Sequence, residues 1–341
     1  MVTYSDDKKE NHSPGTAVEE KTVWYLAYGS NMDPKVFTGR RKIHPIESRP
    51  VIVPEYWLSF DIGGLPYLEP CFASILKKDS SRIHERAYAL EVHARTLEGR
   101  PFVWDDRHPE NSYPPTLQGV AHRITLREWQ LVIQSEGGWG YDLPTGYDQI
   151  EVECMVVENG TNPTGETLRT KVLEARPKSI RSHCQPSARY KSLLVTGAAY
   201  HNIDPAYQRY LSQVVPYECT GLKAKMGRVV FSIANLPMLI FFFGMGNRGK
   251  RPEDLTKPPY WAAWTQDKMA RFSATLYDNV IGPIFGSGRS STRAQQRLAW
   301  RQINAEMDVS LKELDVKARQ SLDQEPLILK AAEELVESTA E

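Results

Sequence analysis

The sequence predicts an α+β fold, in which short strands mix irregularly with short helices. Three features carry this expectation. Apolar runs of strand length, Val23–Tyr28, Trp57–Ile62, Cys71–Leu76, Glu85–Val92, Gln118–Ile124 and Gln149–Val157, are separated by glycine, proline and polar clusters. Two segments carry helix punctuation, and strands and helices do not alternate as a regular βαβ array would require. After Gly221 the composition changes to long apolar and then charged stretches.

The first run ends abruptly in Gly29-Ser30-Asn31, which reads as a buried strand feeding a tight turn. Glycine lets such a turn bend back and lets a ligand approach the backbone. The amides that follow, with the Ser30 hydroxyl and the Asn31 amide, are suited to grip a carboxylate or an oxyanion. Further on, Leu126–Ser135 reads as a helix because Thr125 is an N-cap residue and Glu136-Gly137-Gly138 a natural stop. Pro205–Val214 reads as a second helix, with Asp204 as cap and proline in its first turn. Ahead of both, Lys77 to Leu117 carries Pro101, Pro109, Pro114 and Pro115 among many charges, as an insertion or extended surface loop would.

The 341 residues suffice for one large domain or two smaller ones. With 42 basic and 42 acidic side chains the net charge is zero, and no basic stripe interleaves with aromatics, which argues against nucleic acid as a partner. Residues 1–22 are polar and lack the apolar core of a signal peptide. They are expected to be a disordered leader on a cytoplasmic protein. The cysteines Cys71, Cys154, Cys184 and Cys219 form no CxxC pair, so neither a zinc site nor a disulfide scaffold is expected.

Residues 222–341 form a C-terminal extension. Val229–Gly246 holds eighteen uncharged, mostly apolar residues with basic residues on both sides, which is the short end of a bilayer span. A membrane contact through 229–246 stays open beside the plainer reading of a hydrophobic helix or hairpin packed on the domain or a partner. Gly286–Ser291 reads as a flexible linker. Beyond it, Met307, Leu311, Leu314 and Ala318 make one apolar stripe on a helical tail.

Together the motifs resemble a known family. Tyr25-Leu26-Ala27-Tyr28-Gly29-Ser30-Asn31 resembles the signature loop of the γ-glutamylcyclotransferases. Gly119-Val120, then a helix, then Gln134-Ser135-Glu136-Gly137 is similar to the family's second block, and Tyr147 fits the tyrosine that starts its next strand. Pro186–Tyr190, Gly197-Ala198, Pro205–Tyr207 and Pro216–Gly221 resemble the third block and closing segment. The resemblance covers most of 23–221 and implies a mostly antiparallel, barrel-like core with flanking helices. It implies Glu136 as catalytic base, Tyr25, Leu26, Ala27, Tyr28, Gly29, Ser30 and Asn31 as the substrate loop, and Tyr190 as a tyrosine that closes the pocket.

One departure stands out: Val172 falls where the family often has a tyrosine, which would remove a hydroxyl from the pocket. The implied reaction cyclises a γ-glutamyl amide to 5-oxoproline and frees an amine, with no metal or organic cofactor. HExxH, P-loop, GxGxxG and GxSxG motifs are absent, and Ser30 has no assignable histidine partner, so it reads as a binding residue. The expected partner is a small γ-glutamyl molecule; the oligomeric state is open, with a homodimer as one option. Two alternatives stand beside this: trimming of γ-glutamyl groups from glutathione-derived conjugates in secondary metabolism, and a non-catalytic binding module anchored by its apolar C-terminal segment.

Overall fold

The computed structural model describes residues 20–78, 115–136, 141–158, 160, 162–181, 184–238, 240–241 and 259–291, with isolated positions between 302 and 312. The leader up to 19, the strand expected at Glu85–Val92, most of the 77–117 insertion and the stripe Met307, Leu311, Leu314 and Ala318 lie outside the described residues.

Six strands form one sheet: β1 (Thr22–Ala27), β2 (Glu47–Leu65), β3 (Glu69–Lys77), β4 (Thr116–Thr125), β5 (Tyr147–Glu158) and β6 (Asn162–Ala175). β1 lies at the centre, antiparallel to β4 from Thr22↔Thr125 to Ala27↔Val120 and parallel to β6 at Tyr25↔Lys171. β2 pairs with β4 through its first half and with β3 through its second, and the register shifts between Val53 and Trp57. Pro54 sits in that shift, where its missing N–H costs the ladder nothing. Val51↔Val156 and Ile52↔Met155 then join β2 to β5. The ring β2-β4-β1-β6-β5 therefore closes into a small barrel, and β3 continues as a hairpin with the far end of β2.

Side chains fill this barrel, because alternate residues on every strand point inward. Leu26, Val51, Leu117, Val156 and Val172 share that inward face and are buried. Val172 faces this core, opposite Ile150 on β5, so its difference from a tyrosine removes no hydroxyl from a ligand-facing surface.

Among the described residues, five helices of nine residues or more flank the sheet: α1 (Leu126–Ser135), α2 (Ala188–Tyr200), α3 (Pro205–Gln213), α4 (Leu222–Ala234) and α5 (Tyr260–Leu276). Thr125 caps α1 with a reciprocal box: its hydroxyl accepts from the Glu128 amide, and the Glu128 side chain accepts from the Thr125 amide. Asp204 caps α3 by accepting from the Ala206 amide.

The apolar stretch from Val229 is not one continuous helix. α4 ends at Ala234, where Asn235 turns its amide nitrogens back onto the Phe231 carbonyl. Among the described residues no helix is long and apolar enough to cross a membrane. α4 buries Phe231 in a second, smaller core with Tyr67, Tyr217, Tyr277 and Ile281. Its opposite face exposes Leu222, Met226, Val229 and Ile233.

Nor is Gly286–Ser291 a free linker. The Tyr67 amide donates to the Gly288 carbonyl at 2.6 Å, and its hydroxyl donates to the Gly286 carbonyl at 2.7 Å. The Gln185 amide donates to Arg289, and Gln185 accepts in turn from Ser291. Gly288 is there for close approach, since a Cβ on it would meet the Tyr67 ring at 2.7 Å, whereas Gly286 has open space around it and takes a left-handed φ of +87°.

His122 on β4 gives the fold a pH signature. It stacks on Phe37 at 4.6 Å, its Nδ1 lies 2.8 Å from the Ser48 hydroxyl, and His201 lies edge-on at 5.4 Å. Burial, and next the charge of His201, pull its pKa from 6.5 down to about 3. Below pH 6.5 the unfolded chain binds a proton that the folded chain refuses, so stability falls as pH falls through that window. The expected slope is at most about 1.4 kcal/mol per pH unit. Denaturant midpoints between pH 7.5 and 5.5 should drop accordingly, and His122→Gln should flatten the slope. Midpoints that stay constant in the parent chain would refute the assignment.

Candidate active site

The end of β1 carries the chain through Gly29 into a one-turn 3-10 helix, Ser30–Met32. Helix α2 lies across this turn. Its Tyr190 hydroxyl accepts from the Ala73 amide at 3.2 Å, and a Cβ added at Gly29 would stand 2.8 Å from that hydroxyl. Gly29 is thus required by close approach rather than by an unusual φ. At the other end of the turn Gly197 of α2 lies on Met32 and Asp33, where a Cβ would meet backbone and side-chain atoms at 2.7–2.8 Å.

Helix α1 stops at Ser135, so Glu136 is its C-cap and its carboxylate leaves the helix axis toward the turn. Asn31 joins the two elements: its Nδ2 donates to the Tyr25 hydroxyl at 2.7 Å and to Glu136 Oε1 at 3.3 Å. Arg41, which follows the wide turn Lys35–Arg40, completes the cluster. Its Nε donates to Asn31 Oδ1 at 2.7 Å, and its terminal nitrogens bond Ser135 Oγ and Glu136 Oε1. The side chains of Arg41 and Glu136 are 10% and 24% exposed, so the pair is largely shielded yet reachable. Among the described residues both partners of Glu136, Asn31 and Arg41, bond its Oε1, and Oε2 is left for a ligand.

Burial, and next the Glu136 carboxylate, hold the phenols of Tyr25 and Tyr147 well above their ordinary pKa; burial does the same for Tyr190. All three hydroxyls therefore keep their protons and can donate. Tyr28 directs its hydroxyl to the Leu173 carbonyl at 3.0 Å and serves as wall.

These residues open onto a cavity of about 570 Å³. Of the residues expected from sequence, Glu136, Tyr25, Tyr28, Gly29, Ser30, Asn31 and Tyr190 line it together. Leu26 and Ala27 do not: both are fully buried and paired with Ala121 and Val120 of β4, Leu26 pointing into the barrel and Ala27 to the opposite face of the sheet. Tyr147 also lines the cavity, as do Arg40 and Arg41, which the sequence reading did not include. Their only local sign is two adjacent arginines; nothing in the spacing says that Arg41 bends back onto a glutamate 95 residues away. Among the described residues no cluster of three or more His, Cys, Asp or Glu is arranged to hold a metal ion. The cysteines Cys71, Cys154 and Cys184 are buried and free, and Cys219 is half-buried and free.

Arg41 is a positioning residue, since one guanidinium fixes Asn31, Ser135 and Glu136 at once. Lysine keeps the charge but cannot span three acceptors. Arg41→Lys should lower kcat/KM by about 10- to 100-fold, because small misplacements of a reacting group cost that much. The loss should fall mainly on kcat; an unchanged kcat would contradict the role.

No family model matches the chain. Comparison with curated proteins finds the "Gamma-glutamyl cyclotransferase gliK" of Aspergillus fumigatus, 30% identical over 273 residues, which span 78% of this chain and 89% of the relative. The "Gamma-glutamyl cyclotransferase aclK" of Aspergillus oryzae is 33% identical over 119 residues, 35% of this chain and 36% of the relative. The "Gamma-glutamyl cyclotransferase verK" of Clonostachys rogersoniana is 25% identical over 175 residues, 51% of this chain and 84% of the relative.

Proposed function

The chain belongs to the γ-glutamyl cyclotransferase family, and from that premise we propose that it releases 5-oxoproline and a free amine from a γ-glutamyl amide, with Glu136 moving the protons. The observation that supports this most is the Glu136 carboxylate, held by Asn31 and Arg41 inside a cavity walled by protonated tyrosines.

The chemistry needs few parts. The α-amine of the substrate is an ammonium at neutral pH and cannot attack until it loses a proton. Glu136, through Oε2, accepts that proton. The freed nitrogen attacks the γ-carbonyl, a ring C–N bond forms, and the carbonyl oxygen takes the negative charge. When the tetrahedral centre collapses, Glu136 returns the first proton to the departing nitrogen and the bond to the leaving amine breaks; the ring nitrogen, which became positively charged on attack, gives its second proton to the freed Glu136 carboxylate, and from there it passes to the released amine, leaving a neutral lactam. No water is consumed, so the reaction is a lyase-type elimination of the amine. We assign the Gly29–Asn31 turn to the substrate α-carboxylate and the oxyanion, since the first amides of such a turn have no partner within it. Tyr25, Tyr147 and Tyr190 add hydroxyl donors that stay protonated across the working pH range.

A second reading is favoured by one observation: the cavity does not end at the catalytic residues. Met238, Ala270 and Ala274 of the C-terminal region also line it. This supports a bulky amine portion, such as a glutathione-derived conjugate, over a small dipeptide. The test is 5-oxoproline release by purified protein from γ-glutamyl dipeptides, glutathione and glutathione S-conjugates. Faster turnover of the conjugates would support trimming of bulky substrates, equal rates would remove the case for it, and no release from any compound would remove the cyclotransferase reading.

A further inference from the structure

The charge lining the cavity is lopsided. Glu136 is the only carboxylate on its wall among the described residues, and Arg41 already neutralises it. Besides Arg40, Arg41 and Arg189, the same space is lined by Lys178, Arg181, Arg271 and Arg289. They come from two places: the segment after β6, and the C-terminal region that packs beside it.

The three arginines are built in from behind, while Lys178 is exposed at the rim. Arg271 on α5 is held by Asp267 at 2.8 Å, and the buried Asp267 also accepts from the Thr145 amide and hydroxyl at 3.2 and 2.6 Å. That single carboxylate fixes the arginine and the loop leading to Tyr147. Arg289 bonds Asp278 and lies over the Tyr277 ring at 4.4 Å. Arg181 donates to the carbonyls of Lys178 and Ile180, both at 2.8 Å, while its aliphatic stem lies where a Cβ at Gly63 would stand, 2.8 Å from Cγ. Neither Asp267 nor Asp278 is on the cavity wall. Arg181 and Lys178 have no carboxylate partner among the described residues. Burial, and next the charge of Arg289, pull the pKa of Arg181 down, and the charge of Asp278 offsets this only in part.

We propose that Lys178, Arg181, Arg271 and Arg289 form an anion subsite that binds a carboxylate on the leaving amine, so that the chain selects γ-glutamyl amides whose amine portion is anionic. The proposal rests on the cyclotransferase reading for which end of the substrate lies there. Held guanidiniums match a carboxylate bidentately, and little side-chain entropy is lost on binding. The C-terminal region is then a specificity wall of the active site.

The test compares γ-glutamyl-alanyl-glycine with γ-glutamyl-alanyl-glycinamide, which differ only in the terminal charge. Each is titrated by calorimetry into the full-length chain carrying Glu136→Gln, which binds them without turnover. The acid should bind about tenfold more tightly than the amide. Arg181→Gln and Arg271→Gln, introduced separately, should each bring that ratio toward one, and raising the salt concentration should do the same. Equal affinities for acid and amide in the parent would overturn the subsite, and so would a ratio unmoved in both arginine variants. The unsubstituted chain gives a second reading of the ratio, as relative kcat/KM for the two compounds. Failure of the cyclotransferase reading is separate: 5-oxoproline would be missing from both compounds while the acid still bound more tightly.

Discussion

Glu136→Gln is expected to reduce kcat/KM for 5-oxoproline release by about 10³-fold while leaving the protein folded. Glutamine keeps the size of glutamate and an oxygen acceptor for Asn31 and Arg41, so the local network retains its shape. What disappears is the only carboxylate on the cavity wall that can take the ammonium proton. A 10³-fold loss corresponds to about 4 kcal/mol at the transition state. The stability effect is smaller, because Glu136 is 24% exposed and an ion pair of that kind contributes about 1 kcal/mol or less. Activity and stability should therefore separate: thermal unfolding within a few degrees of the parent, and turnover near the detection limit. Retained turnover would sink the assignment of Glu136, and a variant that fails to fold would show that the carboxylate is structural.

Gly197→Ala should damage stability and activity together, although it adds only one methyl group. In an exposed helix alanine would gain about 1 kcal/mol over glycine. Here the new carbon meets Met32 and Asp33 at 2.7–2.8 Å, and most of those atoms are backbone, which cannot rotate aside. Overpacking of that kind costs about 1–3 kcal/mol, so the clash wins over propensity. The way out is for α2 to lift off the turn, and α2 carries Tyr190, whose hydroxyl bonds Ala73 and presses on Gly29. The variant should lose several degrees in Tm and about tenfold or more in kcat/KM together. A Tm above the parent's would mean that α2 does not press on the substrate turn as described.

The parts of this molecule that were legible from sequence have local causes. Thr125 and Glu128 announce the start of α1 three residues apart, and β1 shows as an apolar run ending in glycine. β6 was missed because its first half, Asn162 to Thr167, is exposed and polar and carries no alternation. α2 was recognised only as a motif. Its buried face is Tyr190, Leu194, Gly197 and Ala198, spaced correctly for a helix but too small in two places to register as apolar. The Gly29–Asn31 turn and Glu136 stand out through the family pattern, and they line one cavity. Arg41, Asp267 and Arg181 do not stand out, since each acts across the fold on partners that no local spacing reveals. Gly286–Ser291 misled for a related reason: small residues serve close packing as well as they serve flexibility.

That same strand of glycines and serines has a consequence for the life of the protein. The Tyr67 hydroxyl finds its partner 219 residues further along the chain. During synthesis at roughly 5–20 residues per second, the barrel hairpin waits about 10–40 s on the ribosome before its other half exists. Arg271 and Arg289 are delivered by the same late segment. Nascent chains therefore carry the catalytic turn long before they carry the cationic wall, and the finished selectivity belongs only to full-length product.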